Sequence, residues 1–219
     1  MKTNEELQIE VQAALKWEPM LHSSEIGVIA DDGVITLTGS VDTYAKKTEA
    51  ENAVKNVAGV KAVVERIQLT FGSFGKKDDS DIASEIISAF KWNWEIPDAT
   101  IHVKVEDCWV TLDGEVEWNY QKEAAKKAVT GLLGVVGVTD SIIINSYIKD
   151  SIEQRDIQKA IERNSFIEDD DVKVKVSGNT VTLSGSVHSL FQKDECGRMA
   201  WNAPGVFSVK NDLEIDYAY

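Results

Sequence analysis

Three histidines, two cysteines and one run of acids are the residues of this 219-residue chain best suited to chemistry. Catalysis needs a nucleophile or base brought together with a group that orients it. His22, His102 and His188 are widely separated, and "HSSE" and "HVKVED" set no Cys, Asp or His at metal-ligand spacing. All three histidines read as surface or capping residues. Cys108 and Cys196 form no C-x-x-C pair, and neither sits among cations that would lower its pKa. The "EDDD" run from Glu168 to Asp171 lacks the alternating ligands and turn glycine of a calcium loop, so it reads as a solvated loop. No catalytic residue, metal site or cofactor is expected.

The glycines raise a second possibility. Gly39, Gly114 and Gly185 lie in the phrases "GVITLTGSV", "CWVTLDGEV" and "NTVTLSGSV". Each stands between a strand pattern and a helix pattern, where a dinucleotide loop would lie. Each is a single glycine, however, with no G-x-G-x-x-G or P-loop spacing. Asp42 and Glu117 also occupy the start of the following helix in two phrases, where they repel an anion. The glycines therefore read as backbone turns that need positive φ or close approach.

The elements around them recur in register. Gly114 follows Gly39 by 75 residues and Gly185 follows it by 146, and the same offsets relate other positions. Gly59 matches Gly134 and Gly205; Leu15 matches Phe90 and Ile161; Val28 matches Val103 and Val174; Ile67 matches Ile142 and Leu213. Each copy opens on a helical period, as in Leu7, Val11 and Leu15, where Thr3 and Glu6 resemble a capping box. A short alternating strand, a tight turn and a second strand follow, then a helix ending at Gly59, Gly134 or Gly205, then a last strand. The expected fold is α+β: three tandem αββαβ sandwiches, each a three-stranded mixed sheet with two helices on one face. The boundaries are residues 1–72, 80–146 and 150–219. The joins "GSFGKKDDS" and "NSYIKDS" read as short linkers.

Alternation also separates the sheet faces. Ile26, Val28, Ile35, Leu37, Val63, Ile67 and Leu69 point to the helices, whereas Ile29, Thr36, Val64, Arg66 and Gln68 face outward. The third copy's outer face carries Lys173, Lys175, Thr182, Lys210 and Asp212, which makes it a wet surface.

With 37 acidic and 23 basic residues, the chain carries a formal charge of -14. That field repels phosphate, so no nucleic-acid partner is expected. No run of about 18 apolar residues is present, so no transmembrane segment is expected. The opening "MKTNEELQIE" lacks the apolar core of a secretory signal. The expectation is cytoplasmic for the chain as it stands, and periplasmic if a signal has been removed.

The V-x-L-x-G-x-V phrases (Ile35–Val41, Val110–Val116 and Val181–Val187), each followed some twenty residues later by Gly-Val, resemble the BON domain, a bacterial osmotic-stress and nodulation module. The third copy ends most like the family, in "PGVFSVKNDLEI" with Asn211; the others have Glu65 and Asp140 there. The resemblance implies an αββαβ fold without catalysis, and binding or scaffold work. Relatives are often periplasmic or outer-membrane associated, respond to osmotic or envelope stress, carry a transport-associated label, and include phospholipid binders.

Where the copies differ, aromatics stand out. Trp94, Trp109 and Trp118 replace Pro19, Val34 and Thr43 of the first copy. Trp17 and Trp92 are equivalent helix ends and read as structural. The middle-copy tryptophans are expected at an interdomain contact, at a protein partner or self-association site, or at lipid. For phospholipid headgroups the expected set is Trp118, Tyr120, Lys122, Lys126 and Lys127, with Trp94 and Trp109 as further contact candidates. The competing expectation is a protein-interaction or self-assembling module built on the middle copy's aromatic surface.

Overall fold

A computed structural model describes residues 2–21, 26–71, 77–145, 154–163 and 172–216. His22, the acids at Glu168–Asp171 and most of both linkers lie outside the described residues.

Copy 1 comprises α1 (Asn4–Trp17), β1 (Ile26–Asp31), β2 (Val34–Val41), α2 (Tyr44–Lys55) and β3 (Ala62–Leu69). Copy 2 repeats the order as α3 (Asp79–Trp92), β4 (Ile101–Glu106), β5 (Trp109–Val116), α4 (Asn119–Thr130) and β6 (Gly137–Ile144). Copy 3 is α5 (Gln154–Glu162), β7 (Val172–Ser177), β8 (Thr180–Val187), α6 (Leu190–Trp201) and β9 (Ser208–Ile215). Each copy has its own three-stranded sheet with the second strand central. In copies 2 and 3 the hairpin is antiparallel, and the last strand adds parallel to the central one. This is the α+β arrangement of mixed sheets that the sequence predicts.

Local signals explain where the elements begin. Thr3 Oγ1 accepts from Glu6 N at 3.2 Å and Glu6 Oε2 accepts from Thr3 N at 2.8 Å, which closes the capping box on α1. The hydrogen bond from the Thr3 backbone holds the Glu6 carboxyl below its usual pKa. Asp78 caps α3 by accepting from Asp81 N at 2.8 Å. The β4–β5 turn has two residues, Asp107 and Cys108, with φ of 50° and 61°, the mirror-image geometry that matches strand twist. The repeated glycine lies opposite the first residue of each hairpin: Gly39 against Ile26, Gly114 against Ile101 and Gly185 against Val172. At Gly114, φ is 131° and a Cβ would stand 2.1 Å from the Thr100 carbonyl oxygen, so no larger residue fits.

The cores follow the alternation. In copy 2, Ile82, Ile86 and Phe90 of α3 and Ala125 and Val129 of α4 meet Ile101, Val110, Leu112 and Ile142 of the sheet. Copy 3 assembles Ile157, Ile161, Val174, Val181, Leu183, Cys196 and Leu213 likewise. The other sheet face stays open: Lys173, Lys175, Lys210 and Asp212 are all exposed.

By contact the chain divides into two compact units. One contains copy 3 and most of copy 1; the other contains copy 2, residues 40–48 and the end of β3. Within the second unit, Tyr44 of α2 packs against the copy 2 core. An interdomain role was expected of the middle-copy tryptophans. One residue that reaches across is this tyrosine, at a helix start where copy 2 has buried Asn119.

Candidate functional site

The second helix of every copy carries a lysine at the same place: Lys47, Lys122 and Lys193. Each turns its ammonium inward to a carbonyl of the last strand. Lys47 Nζ donates to Ile67 O at 3.3 Å, Lys122 Nζ to Ile142 O at 2.6 Å and Lys193 Nζ to Leu213 O at 2.6 Å. Copy 2 completes the device. Asp140 Oδ1 accepts from Ile142 N at 3.1 Å and lies 3.5 Å from Lys122 Nζ. A Lys–Asp pair thus satisfies both unpaired backbone groups in the middle of an edge strand. In copy 3, Asn211 donates instead to the Lys193 carbonyl at 2.6 Å, and its Oδ1 is buried without a partner among the described residues.

Lys122 was expected at a lipid headgroup. Its ammonium is engaged by the Ile142 carbonyl and the Asp140 carboxylate of the same copy. Lys126 and Lys127 are exposed on α4.

The aromatics fall in different environments. Trp109 is 49% exposed, but its ring lies on Gly137, where an added Cβ would meet ring carbons at 2.4–2.7 Å. Its Nε1 donates to Thr139 Oγ1 at 2.8 Å. The indole fills the gap left by a glycine on the neighbouring strand rather than standing clear. Trp118 precedes α4 and is half-buried, and its backbone N–H donates to Gln121 Oε1 at 3.0 Å. Tyr120 is exposed in the first turn of α4.

The fully exposed indoles lie elsewhere. Trp17, Trp92 and Trp94 are 85%, 90% and 87% exposed, so the structural role expected of Trp17 and Trp92 is overturned. Each stands at or just past the end of the first helix of its copy. The inward stripe of that helix ends at Leu15 or Phe90, which leaves the indole of Trp17 or Trp92 beyond the core.

Topology groups these residues. Thr100 O accepts from Glu115 N, so the loop carrying Trp94 adjoins the C-terminal end of β5, where Trp118 and Tyr120 follow. Trp109 begins β5 and lies at the opposite end of the sheet. Lys126 and Lys127 lie about 10 Å along α4 from Tyr120, at 1.5 Å per residue. The expected set is therefore not one cluster: Trp94, Trp118 and Tyr120 share an end, and Trp109 does not join them.

Family models of the BON domain match residues 3–70, 78–146 and 149–217. The chain belongs to the BON domain family. It is similar to the Osmotically-inducible protein Y of Escherichia coli (strain K12), at 31% identity over 189 residues, covering 82% of this chain and 92% of that protein. Among solved structures it is similar to CdsD, a structural protein of the Type III secretion system of Chlamydia trachomatis. That match has 16% identity, 96% and 92% coverage and a TM-score of 0.25. The C-terminal domain of CdsD matches at 15% identity, 98% coverage of both chains and a TM-score of 0.25. Values that low carry no structural inference.

Groups able to react are sparse on these BON copies. Among the described residues no set of three His, Cys, Asp or Glu side chains could hold a metal ion. Cys108 lies in the β4–β5 turn, its N–H donating to Asp79 Oδ1 at 2.8 Å and its Sγ to Lys77 O at 3.6 Å. Burial, reinforced by Asp79 and Asp107, pushes the Cys108 thiol up. Cys196 is buried on α6, and burial pushes it up to about 11. Both thiols stay protonated at neutral pH, so neither is a poised nucleophile. His102 is exposed on the open face of the second BON sheet, and His188 precedes α6, its N–H donating to Gln192 Oε1 at 2.6 Å.

Proposed function

We propose that this chain is a non-enzymatic binding protein of the osmotic-stress response that docks on phospholipid surfaces through exposed tryptophans. The observation that carries the reading is the near-complete exposure of Trp17, Trp92 and Trp94 at matching ends of copies 1 and 2. An indole in water leaves its apolar body unburied, and the headgroup boundary of a bilayer accepts both the ring and its N–H. Exposed Lys16 and Lys91 precede Trp17 and Trp92, so each indole has a cation beside it for headgroup phosphate. No helix among the described residues is long and apolar enough to cross a membrane, which fits docking rather than spanning.

The charge of -14 shapes the choice of surface. With Lys122 turned inward, the cations left on α4 are Lys126 and Lys127, among Glu117 and Glu123. Anionic vesicles are repelled over the Debye length, about 10 Å at 0.1 M salt. Zwitterionic vesicles are not. The osmotic assignment draws on the osmotically inducible relative.

Flotation with phosphatidylcholine vesicles tests the reading, with indole emission as a second readout. Binding and a blue shift are expected. Trp92→Ala and Trp94→Ala each weaken binding about tenfold, the effect of losing roughly 1.5 kcal/mol of ring burial. Absence of flotation at any salt concentration sinks the lipid reading. It leaves the protein-partner alternative, which the acidic surface of the middle copy favours.

A further inference from the structure

The two edges of each sheet are closed by side chains to different degrees. In copy 3, α5 closes the outer edge of β7 with one glutamine. Gln158 Nε2 donates to Val172 O at 3.1 Å, and Gln158 Oε1 accepts from Val174 N at 3.2 Å. The side-chain amide occupies the place of a neighbouring strand.

Copy 2 shows no such closure among the described residues. Ile101 and Val103 of β4 hold the register of Val172 and Val174, each pair set against the same positions of the central strand. Their backbone groups therefore face outward in the same way. The residue matching Gln158 on α3 is Ile87, which has no hydrogen-bonding group and is 50% exposed. Among the described residues nothing bonds the Ile101 carbonyl or the Val103 amide on that side, and no strand lies beyond β4. Copy 1 carries Gln12 at this helix position, where closure remains chemically available. The opposite edge of the copy 2 sheet is shut by Lys122 and Asp140.

We infer that the outer edge of β4 receives an extended segment of a partner polypeptide. An unpaired row of N–H and C=O groups at strand spacing is complementary to another strand. The segment alternates. Residues facing the helices pack on exposed Ile87, so they are apolar. Residues facing outward are basic, because the outward face of β4 and β5 sets Glu106, Asp113 and Glu115 against Lys104 alone. This edge adjoins the tryptophan-bearing end but contains none of its indoles.

The probe is a capped, fluorescently labelled peptide of alternating valine and lysine, titrated into the full chain by anisotropy, with amide hydrogen exchange recorded in parallel. In the unliganded chain, the Val103 amide is expected to exchange at least tenfold faster than that of Val174. Peptide binding should slow Val103. Ile87→Gln installs the copy 3 closure: it should slow Val103 without peptide and weaken binding at least tenfold. It should leave exchange in the copy 2 core and flotation on vesicles unchanged. Val103→Pro, which deletes the outward N–H at an edge position that tolerates proline, should also weaken binding. The inference is overturned if Val103 is already as protected as Val174, or if Ile87→Gln binds peptide like the wild type. It also fails if the chain alone dimerises through this edge, with loss of the dimer in Ile87→Gln. Equal affinity for a valine–glutamate peptide overturns the charge assignment.

Discussion

Cys196 shows what a single side chain reports. It stands where copies 1 and 2 have Ala50 and Ala125, and all three are buried against their cores. Burial raises its pKa to about 11 from the usual 9.0. Between these values the unfolded chain has lost the thiol proton and the folded chain keeps it. Stability from this group is thus complete below about pH 9 and falls as pH rises toward 11. Urea unfolding at pH 8 and at pH 11 should show the wild type losing about 2 kcal/mol more than Cys196→Ala does. Equal losses would mean that the thiol is hydrated in the fold. The position was legible as packing because two copies have alanine there. The exposure of Trp17 and Trp92 was not legible. Equivalence between copies signals a shared constraint, and the sequence does not distinguish a shared core contact from a shared surface contact.

At the scale of elements, what the copies share explains the sheets, and what they do not share explains the edges. Period-two alternation and the hairpin glycine made the strands and their inward faces readable, because burial on one side enforces register. The inward lysines were missed, although the signal was present: lysine recurs at Lys47, Lys122 and Lys193 among helix positions that otherwise vary. A lysine on an amphipathic helix is ordinarily assigned to solvent. Only the strand behind the helix shows that its four-carbon stem reaches a carbonyl. The same reach gives a prediction. Lys122→Met keeps the stem and removes the donor, leaving Ile142 O and the Asp140 carboxylate uncompensated. Stability should fall by about 1–3 kcal/mol, the cost of stranding buried polar groups. Vesicle binding of the folded protein should stay at the wild-type level. A stable variant that lost flotation would place Lys122 in the headgroup set.

At the scale of the whole molecule, residues of copy 1 belong to both compact units. No residue from Thr43 to Glu51 at the start of α2 is exposed, whereas α4 and α6 each expose a face. Within one unit, Lys55 lies 3.0 Å from Glu51 and 3.7 Å from Asp194 of copy 3. Burial disfavours the Lys55 charge, but the two carboxylates outweigh that cost and its pKa rises. Asp194 is well exposed, so its link should contribute at most about 1 kcal/mol. Within the other unit, Tyr44 packs on the copy 2 core, and ring burial is the stronger kind of coupling. Tyr44→Ala removes most of a half-buried ring. It should cost about 1–2 kcal/mol and speed exchange at the Val129 and Ile142 amides, while Leu213 in copy 3 keeps its protection. Asp194→Asn should leave all three nearly unchanged. If Tyr44→Ala speeds exchange only within copy 1, the ring rests on the copy 2 core without stabilising it.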